Sequence, residues 1–390
     1  MSVISRFAPS PTGKLHFGST RAALFPYLFA RKYNGKFILR IDNTDNRSTD
    51  LFTEDIFKNL KWLNIDYDLT FEQRSRLNIY EDFFQLLKDN NYVYECFETE
   101  NDLEQIRLEK RLAKKAPIFR ENDKRATPGT ANGYWRFRLN HETYVLKDRI
   151  FGELHFKRDW SDPVIKKGDG TFTYLLTSVI DDILTEVTDV IRGSDHLTNA
   201  VVQKDMGDVL QLILKNTSWN INYAHFPMFL NEQGNKLSKR NADSDLSELS
   251  DLEPWSLWSV VTYLGNSQKQ IFSTNKEDYI RNFNIESYSK APVKFNYDLL
   301  LKTNIKILRG LSEVKGVENK KAWELFKNNI DSVEDFNNLM SHLQKWKKSS
   351  EFDNYILKKD SIAIYEECLG RNRGPQINDL LNYLKEEKMI

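Results

Sequence analysis

Val3-Ile4-Ser5-Arg6-Phe7-Ala8, followed by Pro9-Ser10-Pro11-Thr12-Gly13-Lys14-Leu15-His16-Phe17-Gly18-Ser19, is the stretch whose reading decides the fold. A short apolar run passes through a turn rich in Pro and Gly into a helix. Ser19 or Thr20 can cap that helix, which would run to about Tyr33 with Gly35 as its stop. Lys36 to Asp42 then alternates as a second strand, and helical periodicity returns over Thr53 to Leu63 and Arg76 to Asn90. Strands alternating with helices predict a parallel sheet covered by helices. A strand-turn-helix of this kind aims backbone N–H groups, with the helix macrodipole behind them, at whatever binds there, which suits a phosphate. Gly18 would let a nucleotide approach the backbone, and His16 could donate to a phosphoryl oxygen. The plainer alternative is a loop into a helix that carries an incidental His.

Working outward, Tyr92 to Phe97 reads as a strand, and Thr99-Glu100-Asn101-Asp102 as a capping box that opens a charged helix to about Lys115. Strand-like runs at Tyr134 to Leu139 and Tyr144 to Phe156 make this region an α+β insertion between two halves of the sheet domain. Val164 to Lys167 with an Asp169-Gly170 turn, a buried strand at Val187 to Arg192, a helix at Thr198 to Leu214 and a strand at Ala224 to Leu230 continue the sheet domain. Pro254 opens a helix with Trp255, Leu257, Trp258, Val261 and Leu264 at helical spacing, ended by Gly265. Its indole stripe reads as core rather than as an RNA stacking platform. Past about Ala291 little strand signal remains.

The 390 residues are 40% apolar and 29% charged with zero formal net charge, which is ordinary for a globular protein of two or three domains. That balance excludes a wholesale basic nucleic-acid binder; any RNA-contacting surface must be local. The 2 cysteines, Cys96 and Cys368, have no partners at ligand spacing, so neither zinc nor a disulfide framework is expected. No apolar run reaches the roughly 18 residues of a membrane span. The first strand opens at Val3, so no signal or transit segment is expected; a cytoplasmic location is the expectation, with an organellar mature form left open.

Three further clusters carry chemistry. Lys236-Leu237-Ser238-Lys239-Arg240 places two lysines around a Ser in a loop containing Gly and Asn. Lys236 and Lys239 would stabilise a triphosphate as charge moves onto its leaving end, or else form a solvated basic loop. Between Tyr174 and His196 stand Ser178, Asp181-Asp182, Arg192 and Asp195. An Arg at the end of a buried strand needs a partner: either a bidentate carboxylate ligand or an internal salt bridge with Asp181 or Asp182. Asp42, in Arg40-Ile41-Asp42-Asn43-Thr44-Asp45, ends a predicted strand. It could take an ammonium group at the carboxyl edge of the sheet, or cap the next loop.

Four ordered blocks then resemble one family. The Arg6 to Gly13 run, Arg40 to Asp45 with Arg47-Ser48, and Thr173-Tyr174 with Val179 to Asp182, Val190 to Gly193 and Asp195 to Leu197 are the first three. Lys236 to Arg240 is the fourth, and together they resemble a bacterial-type glutamyl-tRNA synthetase, a class I aminoacyl-tRNA synthetase. That resemblance implies an α/β Rossmann-like parallel sheet with an α+β insertion and an all-α C-terminal region. It divides the chain into a catalytic first half at 1–90, an acceptor-binding insertion at 91–160 and a catalytic second half at 161–245. A helical stem-contact region at 246–290 and an anticodon-binding domain at 291–390 complete it.

By the same resemblance Arg6 and Arg192 would hold the glutamate side chain and Asp42 its ammonium, with Ser10, Tyr174 and Ser178 completing the pocket. Gly18, Asp195, Met228, Phe229 and Lys239 would bind ATP, with His16, Lys236 and Lys239 acting on the transferring phosphate. ATP with Mg²⁺, L-glutamate and tRNA(Glu) are the implied partners, with tRNA(Gln) left open, tRNA needed for activation, and a monomer working away from membranes. Asp42 stands where many members carry Glu, Ser178 where some carry Asn, and Asn43 replaces an acidic residue. The C-terminal region is short, with the loss expected around residues 345 to 370, while Gly370 to Pro375 still resembles the family's terminus. The alternatives are a glutaminyl-tRNA synthetase, a queuosine-glutamylating relative and a non-catalytic RNA-binding paralogue.

Overall fold

The computed structural model describes residues 2–129, 132–215, 219–231, 234–235, 246–250, 252–311 and 332–346, with Trp323, Lys327 and Tyr383. The first wound half contains β1 (Ile4–Phe7), α1 (Phe17–Lys32), β2 (Lys36–Ile41), α2 (Asp50–Trp62), β3 (Leu69–Glu72) and α3 (Leu77–Asp89). Then come β4 (Val93–Cys96), α4 (Glu100–Leu112), β5 (Tyr134–Phe137), β6 (Thr143–Asp148), β7 (Gly152–Lys157) and β8 (Val164–Lys166). The second half contains α5 (Tyr174–Leu184), β9 (Asp189–Gly193), α6 (Leu197–Leu214), β10 (Asn222–Phe226) and β11 (Phe229–Leu230). After these lie α7 (Pro254–Tyr263), α8 (Lys276–Asn282), β12 (Val293–Lys294), α9 (Tyr297–Gly310) and α10 (Val333–Trp346).

The main sheet runs β3-β2-β1-β9-β10-β6-β7. Its pairs are parallel from β3 to β6, and only the β6–β7 hairpin at one end is antiparallel. Successive crossovers run outward in opposite directions from β1, so the gap between the carboxyl ends of β1 and β9 is a topological switch point, where open α/β sheets bind ligands. Both faces are covered, as parallel sheets require. Ile4, Ile38, Val187, Val190 and Ala200 pack one cluster against the main sheet, and α1 packs on β1, β2 and β9; Leu176, Ile180, Met206 and Leu210 belong to a second cluster that joins α3, α5 and α6 to β4, β5 and β8.

Several boundaries differ from the expected ones. Helix α1 starts at Phe17, two residues before Ser19, because Ser19 serves the cap from inside: its hydroxyl accepts the His16 N–H at 3.3 Å. Segment 91–160 is split between two sheets. β4, β5 and β8 form a small antiparallel sheet of their own, while β6 and β7 extend the main one. The expected single strand over 224–230 is two strands separated at Pro227, which has no N–H to give a ladder. The capping box at Thr99 and Asp102 is present, and Gly170 (φ +85°) and Gly265 (φ +76°) take left-handed positions at their turns. Cys96 is buried, and burial pushes its thiol up to about 12, in keeping with a small apolar residue.

The chain divides into two compact units, one of Met1–Pro254, Val261–Ile271 and Lys276–Asn296, the other of Trp255–Val260, Phe272–Asn275 and Tyr297–Ile390. In the second, Trp258 is fully buried, and Trp323 meets Phe336 edge-on with centroids 5.3 Å apart. Cys368, residues 370–375 and nearly all of 345–370 lie outside the described residues. No helix among the described residues is long and apolar enough to cross a membrane.

Candidate active site

A cleft of about 790 Å³ opens over the carboxyl ends of β1, β2 and β9 in the first unit. Arg6, Ser10, Asp42, Tyr174, Ser178 and Arg192 all line it. So do His16, Gly18, Asp195, Met228 and Phe229. Lys236 and Lys239 lie outside the described residues. What leads up to them is a turn in which the Asn231 N–H donates to the Asn235 carbonyl at 2.8 Å, with Gly234 at φ +83°.

One wall is built from β1, β2 and α5, and its charges are matched within the protein. Arg6 faces Asp182 with Nε 3.2 Å from one oxygen and Nη2 3.3 Å from the other. Arg40, two residues before Asp42 at the carboxyl end of β2, donates to Asp42 at 2.6 and 3.2 Å, to Asp182 at 2.7 Å and to the Ser178 hydroxyl at 3.1 Å. Asp181 accepts from Gln73, Arg76 and the Tyr80 hydroxyl at 2.8, 2.8 and 2.9 Å. Burial alone would depress the Arg40 guanidinium, but the charges of Asp42 and Asp182 outweigh it and hold it above its ordinary value. Burial raises the Asp42 carboxyl to about 6 against the pull of Arg40. For Asp182, burial is outweighed by Arg6 and Arg40, and its carboxyl sits below the ordinary range.

The wall formed by β9 and β10 is different. The Arg192 Nε donates to the imidazole Nε2 of His225 at 3.3 Å, and Nη2 to the His196 carbonyl at 3.4 Å. Both acceptors are neutral. Burial, with Arg6 nearby, lowers this guanidinium to about 10, so it stays charged at neutral pH. The internal salt bridge to Asp181 or Asp182 is not formed: those carboxylates belong to Arg6, Arg40 and Arg76. Beside Arg192, the buried Tyr174 hydroxyl has no hydrogen-bond partner among the described residues, and burial pushes its phenol up to about 12, so it remains a donor.

At the α1 end of the cleft, Gly18 has a reason that the sequence alone did not suggest. A Cβ there would sit 2.8 Å from the His16 ring, so glycine makes room for that ring. Arg21 also went unrecognised in the sequence. It is buried with its guanidinium 3.8 Å from the Phe229 ring centroid, and it donates to the carbonyls of Pro227 (3.1 Å) and Leu264. Burial brings it down to about 9. It thereby ties α1 to the 227–229 backbone. Asn43, for which the sequence supplied no account, spans two strands: its amide donates to Glu72 at 2.8 Å and its oxygen accepts the Arg74 N–H at 2.9 Å. Arg40, Asp148 and His225 were likewise passed over. The signal for Arg40 was its spacing of two from Asp42; nothing local marks the other two.

The family model for class I tRNA synthetases (E and Q), catalytic domain, matches residues 2–302. Glutamate–tRNA ligase 2 of Ehrlichia canis (strain Jake) is 37% identical over 352 residues, which is 85% of this chain and 78% of that protein. The chain belongs to the glutamate–tRNA ligase family of class I tRNA synthetases. Glutamate–tRNA ligase 1 of Anaplasma phagocytophilum (strain HZ), a further member of that family, is 34% identical over 356 residues, covering 85% of this chain and 77% of its own length. The fold matches a crystal structure of a glutamate tRNA ligase from Elizabethkingia meningosepticum in complex with its amino acid. The TM-score is 0.78 at 23% identity, covering 100% of this chain and 98% of that one.

Proposed function

We propose that this chain attaches L-glutamate to tRNA(Glu) in an ATP-dependent reaction that passes through glutamyl-adenylate. The observation that carries the reading is Arg192. Among the described residues it makes no ion pair, since Arg6, Arg40 and Arg76 meet Asp42, Asp181 and Asp182, and it lines the cleft beside a tyrosine hydroxyl that has no hydrogen-bond partner among them. A half-buried guanidinium with no ion-pair partner among the described residues favours an anionic ligand, and a carboxylate fits its two-pronged donor geometry. Glutamate brings that carboxylate; glutamine brings a neutral amide.

In this reading Arg192, with Arg6 behind it, holds the side-chain carboxylate, and Asp42 takes the α-ammonium. Tyr174 and Ser178 donate hydroxyls, and Ser10 closes the pocket. Asp195 meets the ribose, while Met228 and Phe229 lie against adenine on the backbone that Arg21 anchors. ATP enters with Mg²⁺ on its phosphates. The glutamate α-carboxylate attacks the α-phosphorus, a phosphoanhydride bond breaks and pyrophosphate leaves. His16, Lys236 and Lys239 balance the charge that builds up on the phosphoryl oxygens. The terminal ribose hydroxyl of the tRNA then attacks the acyl carbon and AMP leaves. Positioning and charge compensation do most of the work, so no side chain need be a strong base.

Pyrophosphate exchange, run with glutamate, with glutamine and with no amino acid, each with and without tRNA, tests the reading. Exchange driven by glutamate in the presence of tRNA is the expected result. Exchange driven equally by glutamine, or none under any condition, contradicts it.

A further inference from the structure

Arg192 is held by a chain of buried groups that reaches away from the cleft. Its register partner on β10 is His225, and β10 in turn pairs with β6, which ends at Asp148. The His225 Nδ1 lies 2.7 Å from the Asp148 carboxylate, and both side chains are fully buried. Asp148 is itself fixed by the N–H groups of Ile150 and Phe151 on one oxygen, at 2.9 and 2.8 Å, and by the His225 N–H on the other at 2.9 Å. A carboxylate so placed takes the Nδ1 proton of the imidazole, which leaves Nε2 as an acceptor. That acceptor meets the Arg192 Nε–H at 3.3 Å.

We propose that Asp148 and His225 are positioning residues for amino-acid binding: they fix one imidazole tautomer, whose Nε2 pins Arg192 by its Nε edge and leaves the other edge for the substrate carboxylate. The proposal rests on the functional reading above. A neutral acceptor suits this task better than a carboxylate. It orients the guanidinium without cancelling its charge, so the full cation remains for the ligand. The groups facing the ring are Asp148, Arg192 and, farther off, Arg6, while Tyr223 stacks on it at 6.0 Å. Burial lowers the imidazole pKa, Asp148 opposes this, and Arg192 and Arg6 add to it, so the ring stays neutral at pH 7.

The test uses the full chain with tRNA, measuring glutamate-dependent pyrophosphate exchange in Asp148→Asn, His225→Phe and His225→Gln. An Asn at 148 offers N–H to the ring, turns the tautomer over and sets a donor against Arg192. Phe removes the acceptor. Gln restores one with its amide oxygen. The KM for glutamate is expected to rise about tenfold or more in the Asn and Phe variants, the low end for a hydrogen bond to a charged group. The KM for ATP and kcat are expected to stay near wild type, and Gln to recover most of the loss. An unchanged glutamate KM in the Asn and Phe variants, a matching rise in both KM values, or a Gln variant no better than Phe would overturn it. A mutation-free readout is ¹⁵N NMR of the histidine ring: protonated Nδ1 and bare Nε2 at pH 7 are expected, and the opposite tautomer or an imidazolium refutes the arrangement. If the wild-type chain shows no glutamate-dependent exchange, the functional reading fails instead, and the NMR result still decides the geometry.

Discussion

The two walls of the cleft handle the same side chain in opposite ways. On the β1–β2–α5 wall the guanidinium groups of Arg6 and Arg40 are spent on Asp42 and Asp182, at distances of 2.6 to 3.3 Å. On the β9–β10 wall, the hydrogen bonds of Arg192 among the described residues go to an imidazole nitrogen and a carbonyl. Breaking a buried ion pair strands a charge and costs stability, whereas removing a buried cation that has no counter-ion does not. The arginines of the first wall therefore hold the fold as they shape the cleft, and in the proposed reading the second wall keeps the Arg192 charge for a ligand.

Arg192→Met should give the largest effect on activity. Glutamate activation should fall on the order of 10³-fold, while the melting temperature stays level or rises, because no ion pair among the described residues is broken. A substantial loss of stability in that variant would mean that the second wall is structural too. Arg40→Met should cost stability instead, by stranding Asp42 and Asp182. Chemical denaturation should show a loss of about 3–5 kcal/mol.

The Asp42 carboxyl gives the first wall a pH signature. In the proposed reading it must be ionised to hold the glutamate ammonium, and burial has raised it to about 6. As pH falls through that value the ammonium site is neutralised, so kcat/KM for glutamate should drop about tenfold per pH unit below it. In Asp42→Asn the same profile should lose that limb at a lower plateau. The folding linkage has the opposite sign. A carboxyl raised above its unfolded value gives stability that is present below the unfolded pKa and lost as pH climbs through about 6. The smallest effect should come from Asn43→Asp, which sets a second carboxylate against Glu72. About 1 kcal/mol should be lost at pH 7, and less near pH 4, where the pair can share a proton.

These contrasts also show what could be read from the chain itself. The opening strand-turn-helix, the parallel sheet and the capping box at Thr99 were legible because each rests on neighbours in sequence. His16, Gly18, Asp42, Tyr174, Ser178, Arg192 and Asp195 could be singled out from short runs, whereas Arg6, Ser10, Met228 and Phe229 were named only through the family resemblance; all of them line one cleft. Local pattern could not supply partners far away in the chain. Arg6 and Asp182 are 176 residues apart, and His225 and Asp148 are 77 apart. Nothing around Arg192 says that Asp181 and Asp182 are already taken by other arginines. Pro227 was visible in the sequence, yet reading through it merged two strands. Membership of β6 and β7 in the main sheet depends on the contact of β6 with β10, which periodicity cannot report.

The measurement that tests the central claim most directly is the ratio of kcat/KM for glutamate to that for glutamine, taken with tRNA present in the wild-type chain and in Arg192→Met. A preference for glutamate on the order of 10³ that collapses toward unity in the variant is the predicted result. A preference that survives the loss of Arg192, or is absent from the wild type, would contradict the account.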